Sequence, residues 1–347
     1  MGPMDKNLCN LTPDALREVV AGLGGKAYLA DYIFSFIQTG KADEISQITP
    51  LPKTLRQALT DAGFFIGRLK VVQTFPDPDG TVKFLFEAGD GCRIESVLLI
   101  DKDRHTVCVS SQAGCRMGCS FCATGQIKFR RNLKAGEIVD QIGQAAKTAN
   151  ARIDNVVYMG MGEPFDNYDE VMRSIRILNH PKGRNIGQRH ITVSTCGIPE
   201  GIERFAGEDL QVRLALSLHA PADDLRRRLM GIADKYPMKD IFAALRRYQR
   251  ATNRRVTIEY CLINDVNDAD HHARSLVRLL KPLDAAVNLI EYNPHDGASF
   301  EPSSRNRVRQ FCDILKDGGI ETVVRHKRGQ SIKGACGQLG ATSGQPQ

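Results

Sequence analysis

The sequence of 347 residues contains no tryptophan, and its aromatic residues make up only 6% of the chain. A surface that stacks many nucleic-acid bases on aromatic rings is therefore not indicated. No apolar run approaches the roughly 18 residues that a membrane-spanning helix needs. The N-terminal residues Met1–Lys6 also lack the apolar core of a signal peptide. These absences predict a cytoplasmic protein.

The composition is otherwise that of a folded globular chain, with 42% hydrophobic and 25% charged residues. A chain of this length buries roughly 75% of its unfolded surface, so it needs no disulfides for stability. Ten cysteines in a cytoplasmic protein of this kind therefore indicate metal binding or catalysis rather than a disulfide framework.

The formal net charge is +7, and the basic residues are unevenly distributed. Residues 303–347 contain eight Lys and Arg but only three Asp and Glu, and further basic runs lie at 226–228, 246–255 and 325–328. Any single run could be a solvated surface. Several runs together favour a polyanionic partner, and RNA suits a cytoplasmic chain.

Periodicity divides the chain into an N-terminal helical part and a longer α/β part. Residues 1–65 are expected to form a small helical accessory domain, beginning with a Thr12 cap and Pro13 at the first helical position. Three short β-type runs with PDPDG and GDG turns then predict a β meander or linker over residues 66–104.

Strands alternate with helices over residues 105–325, which predicts a parallel sheet that is either doubly wound or bent into an open barrel. The expected strands are 106–111, 155–160, 191–195, 212–218, 256–263 and 287–293. Polar or glycine clusters follow nearly every one of them, and a parallel barrel has its active site at this carboxyl edge. We therefore expect an α/β protein with a partial (β/α)6 barrel, followed at 326–347 by a C-terminal loop with a flexible tail.

Cys115, Cys119 and Cys122 form the most informative motif, GCRMGCSFCATG, directly after the first of these strands. A structural zinc site usually takes four ligands in two close pairs, and no second Cys-x-x-Cys pair exists here. Three thiolates on one tight loop instead suit three irons of a [4Fe–4S] cluster, with the fourth iron open. An open iron can bind S-adenosylmethionine (SAM), whose reductive cleavage gives an adenosyl radical.

Two other cysteines stand out, Cys108 on the first strand and Cys336 in the run KGACGQL. A lone cysteine is more often a small buried apolar residue, and this applies to Cys108 taken alone. The small residues around Cys336 cannot form a core, and the nearby basic residues predict a lowered thiol pKa.

The sequence resembles the RlmN/Cfr family of radical SAM RNA methyltransferases from about residue 10 to 340. The motifs that carry this resemblance are CVSSQAGCRMGCSFCATG, MGMGEPFDNYDEV, ITVSTCGIP, LALSLHAP, VNLIEYNP and ACGQL. The resemblance implies a radical SAM partial barrel that holds a [4Fe–4S] cluster on Cys115, Cys119 and Cys122 and uses two SAM molecules per turnover.

The resemblance also implies a mechanism with two cysteines. Cys336 accepts a methyl group from the first SAM, and the adenosyl radical from the second takes a hydrogen atom from that S-methyl group. The carbon radical adds to adenine, and Cys108 then attacks the sulfur of Cys336, which releases methylated RNA and leaves a disulfide. Glu95 matches a proton acceptor, although its strand alone predicts an exposed residue. Whether Glu95 or Cys108 removes the adenine proton stays open.

Seven positions match the family's SAM-binding residues, and each follows or ends a predicted strand. Gly162 and Glu163 match the pair that holds the methionine amino group. Without the resemblance, His219 would be as readily interpreted as a structural histidine as a ligand. The seven positions are Gly162, Glu163, Ser194, Ser217, Leu218, His219 and Asn293.

The chain departs from the family pattern before Cys336, where Ser331-Ile332-Lys333-Gly334 replaces the usual Asp-Ile-Asp-Ala. This change puts the first methyl transfer or RNA docking in question. Three cysteines outside the family pattern are expected to be structural: Cys92, Cys196 and Cys261.

Pro164, directly after Glu163, favours an RlmN-type enzyme. The resemblance to such enzymes implies methylation of carbon 2 of an adenine in 23S rRNA, with tRNA as a second substrate. The alternative is a Cfr-like enzyme that methylates carbon 8 and confers resistance to ribosome-targeting antibiotics. A radical SAM activase or peptide-modifying enzyme, and a non-catalytic iron–sulfur RNA-binding protein, are two further classes. We expect a monomer that receives electrons from a low-potential donor.

Overall fold

A computed structural model describes residues 5–325 and 327–340. The α-helices are α1 (Pro13–Gly22), α2 (Leu29–Gln38), α3 (Lys53–Asp61), α4 (Ala135–Ala149), α5 (Tyr168–Asn179), α6 (Pro199–Ala206), α7 (Asp223–Leu229), α8 (Met238–Thr252), α9 (Asp270–Leu280) and α10 (Arg305–Asp317). The strands are β1 (Lys70–Pro76), β2 (Val82–Glu87), β3 (Arg93–Asp101), β4 (Arg104–Cys108), β5 (Gln112–Ala113), β6 (Arg131–Asn132), β7 (Asn155–Tyr158), β8 (Ile191–Thr195), β9 (Arg213–Ser217), β10 (Val256–Leu262), β11 (Ala285–Glu291) and β12 (Glu321–Val324).

The helical part expected near the N-terminus is present and contains α1 to α3. The Thr12 hydroxyl accepts the Ala15 N–H at 3.4 Å, and proline in the first turn leaves no unsatisfied donor there. This part is joined to α4 through the Asn10 side chain, which accepts the Gly136 N–H at 2.8 Å. Its buried apolar residues, such as Phe34, belong to the same core as the rest of the protein.

Ten strands form one sheet in the order β1-β2-β3-β4-β7-β8-β9-β10-β11-β12. The first four are antiparallel neighbours, so the predicted meander continues directly into the sheet. From β4 onward all neighbours are parallel, and each connection contains one or two helices. This confirms the α/β fold class and gives six strand–helix repeats. The closing strand β12 was not predicted, because its four residues carry no clear apolar alternation.

The first parallel strand is shorter than the sequence predicts, because β4 ends at Cys108. The Ser110 N–H donates to the Gln141 side chain at 2.8 Å, and the Ser111 N–H donates to the Met161 carbonyl at 2.9 Å. These donors therefore leave the strand ladder and tie the end of β4 to α4 and to the segment after β7.

Apolar residues form two clusters. The larger one fills the space between sheet and helices. The smaller one lies where the parallel strands end, and we call it the carboxyl-edge cluster; its buried members are Met117, Phe121, Cys196, Ala220, Leu225, Leu229, Met230, Cys261, Ile263 and Tyr292. The tail after Gly340, expected to be flexible, lies outside the described residues. None of the helices described is long and apolar enough to cross a membrane.

Candidate active site

The three motif cysteines lie on one loop that begins after β5 and packs against the carboxyl-edge cluster. Gly114 at its start has φ +79°, and a Cβ there would lie 2.5 Å from the Lys128 carbonyl oxygen. Only glycine allows this close approach and backbone conformation together. The loop is therefore folded back on itself, with Cys115, Cys119 and Cys122 partly buried.

The cysteine loop is also paired with the segment that follows α7. Cys119 forms an antiparallel β-bridge with Met230, and the Ser120 N–H donates to the Leu229 carbonyl at 2.9 Å. These backbone bonds fix the loop against the C-terminal end of α7.

The three sulfurs are close enough to affect each other electrostatically. Burial raises the pKa of the Cys119 thiol well above its usual value, and the Cys122 and Cys115 sulfurs raise it further. Burial likewise raises the pKa of Cys115 to about 12. Among the residues described, no three His, Cys, Asp or Glu side chains are arranged around a single metal ion. Three free, apolar-shielded thiols on one loop are, however, the donor set of an iron–sulfur cluster, in which each thiolate binds a different iron.

The Glu163 carboxylate joins two neighbouring strand ends. One oxygen accepts the Cys196 N–H at 2.8 Å, and the other accepts the Phe165 N–H at 3.1 Å. Burial raises the pKa of this carboxyl, and these hydrogen bonds oppose the shift. Gly162 beside it has φ +97°, and a Cβ would lie 2.5 Å from Gln112. Glycine is thus required here, and the Glu163 side chain is already engaged by protein donors.

Three of the other expected SAM-binding positions lie at the ends of β8 and β9. The hydroxyl oxygens of Ser194 and Ser217 are 3.0 Å apart, so one of them donates to the other. The Leu218 side chain is fully buried in the main core, and its N–H donates to the Glu259 carbonyl at 3.1 Å. The serine pair therefore lies at the expected edge, whereas Leu218 presents no side chain to a ligand there.

His219 is buried and faces the cysteine loop. Its Nδ1 accepts the Cys261 N–H at 3.0 Å, and its ring makes an edge-to-face contact with Phe121 at 4.8 Å between centroids. Burial lowers the pKa of His219 to about 3, and the Arg226 charge lowers it further. The imidazole is therefore neutral, with its proton on Nε2.

The C-terminal segment brings Cys336 to the same edge. The Asn293 side-chain amide donates to the Cys336 carbonyl at 3.2 Å. The Ala123 N–H, next to Cys122, donates to the Gly337 carbonyl at 2.8 Å. These contacts join the loop of Cys336 to the cysteine loop and to the segment after β11.

The prediction of a lowered pKa for Cys336 is wrong. Cys336 is solvent-accessible, but surrounding protein desolvates its sulfur and raises its pKa, and the Glu259 carboxylate raises it further. Arg325 opposes this shift. Burial also raises the pKa of Cys108, and the Cys336 sulfur raises it further, so the two sulfurs lie within electrostatic range of each other. Both are free thiols, and the disulfide implied for the end of a turnover is not formed here.

Glu95 is fully buried on β3, so the exposed position that its strand predicts is wrong. Its carboxylate lies 3.7 Å from the Lys83 ammonium, which is also buried, and accepts the Gly340 N–H at 2.6 Å. The buried Glu95 carboxylate therefore lies next to the residues that follow Cys336.

The residues that depart from the family pattern both meet carboxylates. The Ser331 hydroxyl donates to Asp77 at 2.6 Å, and the Lys333 ammonium pairs with Asp296 at 2.5 Å. The hydroxyl and the ammonium therefore hold the C-terminal loop to the β1–β2 turn and to the segment after β11.

Sequence reasoning missed two charged groups at this edge, Glu259 and Arg226. Glu259 interrupts an apolar strand, which was the available signal, and its carboxylate accepts the Asn288 amide at 2.8 Å. Arg226 was concealed by the two arginines that follow it. The three cysteines expected to be structural are all buried: Cys92, Cys196 and Cys261.

Comparisons with known proteins agree with this architecture. Residues 109–277 match the model of the Radical SAM superfamily. The chain is 44% identical to a Geobacillus kaustophilus protein named "Probable dual-specificity RNA methyltransferase RlmN", over 96% of this chain and 92% of that protein. A Thermotoga neapolitana protein of the same name is 47% identical, over 96% of this chain and 97% of that protein.

A solved structure extends the agreement to three dimensions. The crystal structure of a radical SAM methyltransferase from Sphaerobacter thermophilus superposes with a TM-score of 0.92 at 47% identity, covering 98% of this chain and all of the other. Membership of the superfamily implies a [4Fe–4S] cluster and SAM, which the donor set described above fits. With nearly full-length relatives at this identity, the chain belongs to the RlmN/Cfr family of radical SAM RNA methyltransferases, and among them it is most like RlmN.

Proposed function

We propose that this enzyme methylates carbon 2 of an adenine in 23S rRNA, and of an adenine beside the anticodon in tRNA, with Cys336 as the methyl carrier and Cys108 as the resolving cysteine. The observation that carries the proposal is that the loop of Cys336 is hydrogen-bonded to the cysteine loop and to Asn293, with its free thiol within electrostatic range of the free thiol of Cys108. The name of the relatives, which specifies dual-specificity RNA methyltransferases, supports two RNA substrates.

The cofactors have a defined place in this proposal. Cys115, Cys119 and Cys122 would hold the cluster, and seven residues would bind SAM: Gly162, Glu163, Ser194, Ser217, Leu218, His219 and Asn293. Bound there, the cluster and two SAM molecules per turnover supply the transferred methyl group and an adenosyl radical. For Glu163 and Leu218, whose side chains are engaged or buried and whose N–H groups donate within the protein, the backbone carbonyl would be the binding group.

The protein's own residues position the reacting groups and release the methylated product. Cys336 carries the methyl carbon, and covalent attachment of that carbon to the protein provides the proximity to the adenine that a short-lived radical needs. The RNA adduct gives its unpaired electron back to the cluster, and a base removes the adenine proton. The Cys108 thiolate then attacks the Cys336 sulfur: a sulfur–sulfur bond forms, the sulfur–carbon bond breaks, and its electron pair stays on the transferred carbon, which takes up a proton to become the methyl group. A low-potential donor and a dithiol reductant restore the enzyme.

Two charged groups shift the pKa of the Cys336 thiol in opposite directions: Glu259 raises it and Arg325 lowers it. Its raised pKa keeps the thiol protonated, so methylation requires the thiolate to be favoured at the moment of transfer. The positive charge of Arg325 lowers the pKa of Cys336 and so favours the thiolate. Removal of the adenine proton falls to Glu95, which is buried next to the C-terminal segment, or to Cys108.

The proposal also covers the domain boundaries, the RNA-binding surface and the oligomeric state. We divide the chain into an accessory domain at 1–65, a β meander at 66–104, the radical SAM barrel at 105–325 and the C-terminal loop at 326–347. The exposed residues of the basic runs dock the RNA through phosphate contacts, and the buried Arg226 has no part in this. A monomer contains every group named.

The test is an anaerobic reaction of cluster-loaded protein with reductant, methyl-deuterated SAM and unmodified 23S rRNA or tRNA, followed by nucleoside mass analysis. We expect labelled 2-methyladenosine with wild type and with the control Cys312→Ala, whose cysteine is buried on α10. Cys336→Ala should give none. Cys108→Ala should leave RNA covalently attached to the protein, because product release requires its thiol.

The other outcomes separate the alternatives. Labelled 8-methyladenosine would establish a Cfr-like enzyme. A fully active Cys336→Ala protein, or 5′-deoxyadenosine without a methylated nucleoside, would indicate a radical SAM enzyme with a different substrate. An intact cluster that never cleaves SAM would indicate a non-catalytic RNA-binding protein.

A further inference from the structure

Arg226 on α7 is a fully buried arginine that the proposed reaction does not use. It shares the inward face of the helix with Leu225 and Leu229, whereas Arg227 and Arg228 are exposed. The guanidinium is therefore held inside the protein, beneath the carboxyl-edge cluster.

The hydrogen bonds of Arg226 do not neutralise its charge. One terminal nitrogen donates to the Cys196 carbonyl and the other to the Tyr236 carbonyl, the latter at 3.3 Å. Its Nε is buried without a hydrogen-bond partner, and no carboxylate is among its partners in the part of the chain that the structure describes. The carboxylates of Asp223 and Glu163 act on Arg226 only from a distance, without a hydrogen bond to it. A buried charge that no carboxylate pairs directly costs several kcal/mol, so further negative charge nearby would stabilise it.

The cysteine loop lies where such negative charge would act. The segment directly after α7 is bonded to the loop through the bridge between Met230 and Cys119. Arg226 itself donates to the Cys196 carbonyl, and the Cys119 and Cys196 sulfurs both lie within electrostatic range of its guanidinium. Of these, Cys119 is the expected cluster ligand.

We propose that Arg226 is the buried counter-charge of the iron–sulfur cluster and that it raises the cluster's reduction potential. The inference rests on the cluster that the cysteine loop is expected to hold. A cluster on three thiolates is anionic, and one electron taken up from a reductant adds a further negative charge. A fixed cation in a low-dielectric interior favours that reduced state, as charges and hydrogen bonds around such clusters generally do. Arg226 is in this sense a positioning and tuning residue that touches no substrate.

The test is a dye-mediated redox titration of cluster-loaded protein without RNA, followed by electron paramagnetic resonance of the reduced cluster. The variants are Arg226→Met, Arg226→Lys and the matched control Arg227→Met, which removes an exposed arginine from the same helix. At a potential where half of the wild-type cluster is reduced, Arg226→Met should lower the reduced-to-oxidised ratio about tenfold, which corresponds to about 59 mV for one electron. Arg227→Met should match wild type, and Arg226→Lys, titrated at a pH at which the buried lysine is protonated and keeps the charge, should stay within about threefold of it.

The result that overturns the proposal is an unchanged ratio for Arg226→Met in protein with full iron and sulfide content. Weakened SAM binding with an unchanged ratio would also overturn it, because Arg226 would then act on SAM. If Arg226→Met does not retain a cluster, the lysine variant decides: a ratio near wild type supports the role of charge, and a tenfold loss refutes it. Since no RNA is present, failure to methylate RNA would leave this measurement intact.

Discussion

Replacing Glu163 by glutamine tests whether this carboxylate acts within the fold, as its contacts indicate. The carboxylate accepts two backbone N–H groups, one from Cys196 and one from Phe165, and is almost fully buried. A glutamine side chain offers one carbonyl oxygen, so it can accept only one of them and turns its NH2 group toward the other donor. Leaving one buried N–H donor unpaired costs about 1–3 kcal/mol. Because burial raises the pKa of this carboxyl, its ionisation offsets part of that contribution, so we expect the full loss, about 1.5–2 kcal/mol, in measurements at pH 4.5 and a smaller loss at neutral pH.

The assay is urea denaturation of the cluster-free protein, in which a lower midpoint with an unchanged slope reports lost stability. Glu203→Gln is the control, because that carboxylate pairs with Arg247 at an exposed position and should change the free energy of unfolding by less than about 1 kcal/mol. A Glu163→Gln protein as stable as wild type would refute the reasoning. The carboxylate would then be free to serve SAM alone.

The same carboxylate gives a pH dependence of known sign. Burial raises its pKa above the ordinary value of 4.5, so the folded state binds more protons than the unfolded state. The contribution of Glu163 to stability is therefore fully present below pH 4.5 and is lost as the pH rises through the folded pKa. The stability difference between wild type and Glu163→Gln should narrow over that window.

Three further outcomes follow from other parts of the molecule. The pKa of His219 is lowered to about 3, so the folded state binds fewer protons than the unfolded state below pH 6.5. Cluster-free wild type should lose stability more steeply than His219→Gln between pH 7 and 5, measured by urea midpoints. Lys333→Asp places two carboxylates together at Asp296 and should increase hydrogen exchange of the C-terminal loop, while Asp296→Lys in addition should restore protection. Because this pair is exposed, global stability should change by less than about 1 kcal/mol. RNA affinity should fall at least tenfold between 50 and 200 mM salt, and salt-insensitive binding would contradict a basic docking surface.

The sequence was sufficient for the parts of the fold that repeat. Apolar runs separated by turn residues predicted six of the parallel strands and the meander, and β8 has the predicted bounds, Ile191–Thr195. The errors have local causes. β4 ends early because Ser110 and Ser111 donate outside the ladder, and β12 is too short to show a period.

Side-chain environment was harder to predict than strand position. Glu95 fits the alternation of a half-exposed strand, yet both faces of β3 are covered at that point. Its carboxylate therefore contacts Lys83 and the C-terminal segment instead of solvent. Arg226 is the first of three consecutive arginines, and only the positions of Leu225 and Leu229 on the same helix face indicate that it points inward. Such distinctions depend on tertiary contacts between segments far apart in the chain.

The departure from the family pattern before Cys336 can be interpreted from these contacts. Serine and lysine in place of two acids would, without partners, put an unbalanced positive charge near the reactive thiol. The structure supplies the acids from elsewhere, Asp77 in the β1–β2 turn and Asp296 after β11. Lys333 is therefore neutralised, and the pKa of Cys336 is shifted by burial, by Glu259 on β10, by Arg325 after β12 and by the Cys122 sulfur. It follows that the departure changes how the loop is held and leaves the charge at the thiol to residues outside the loop.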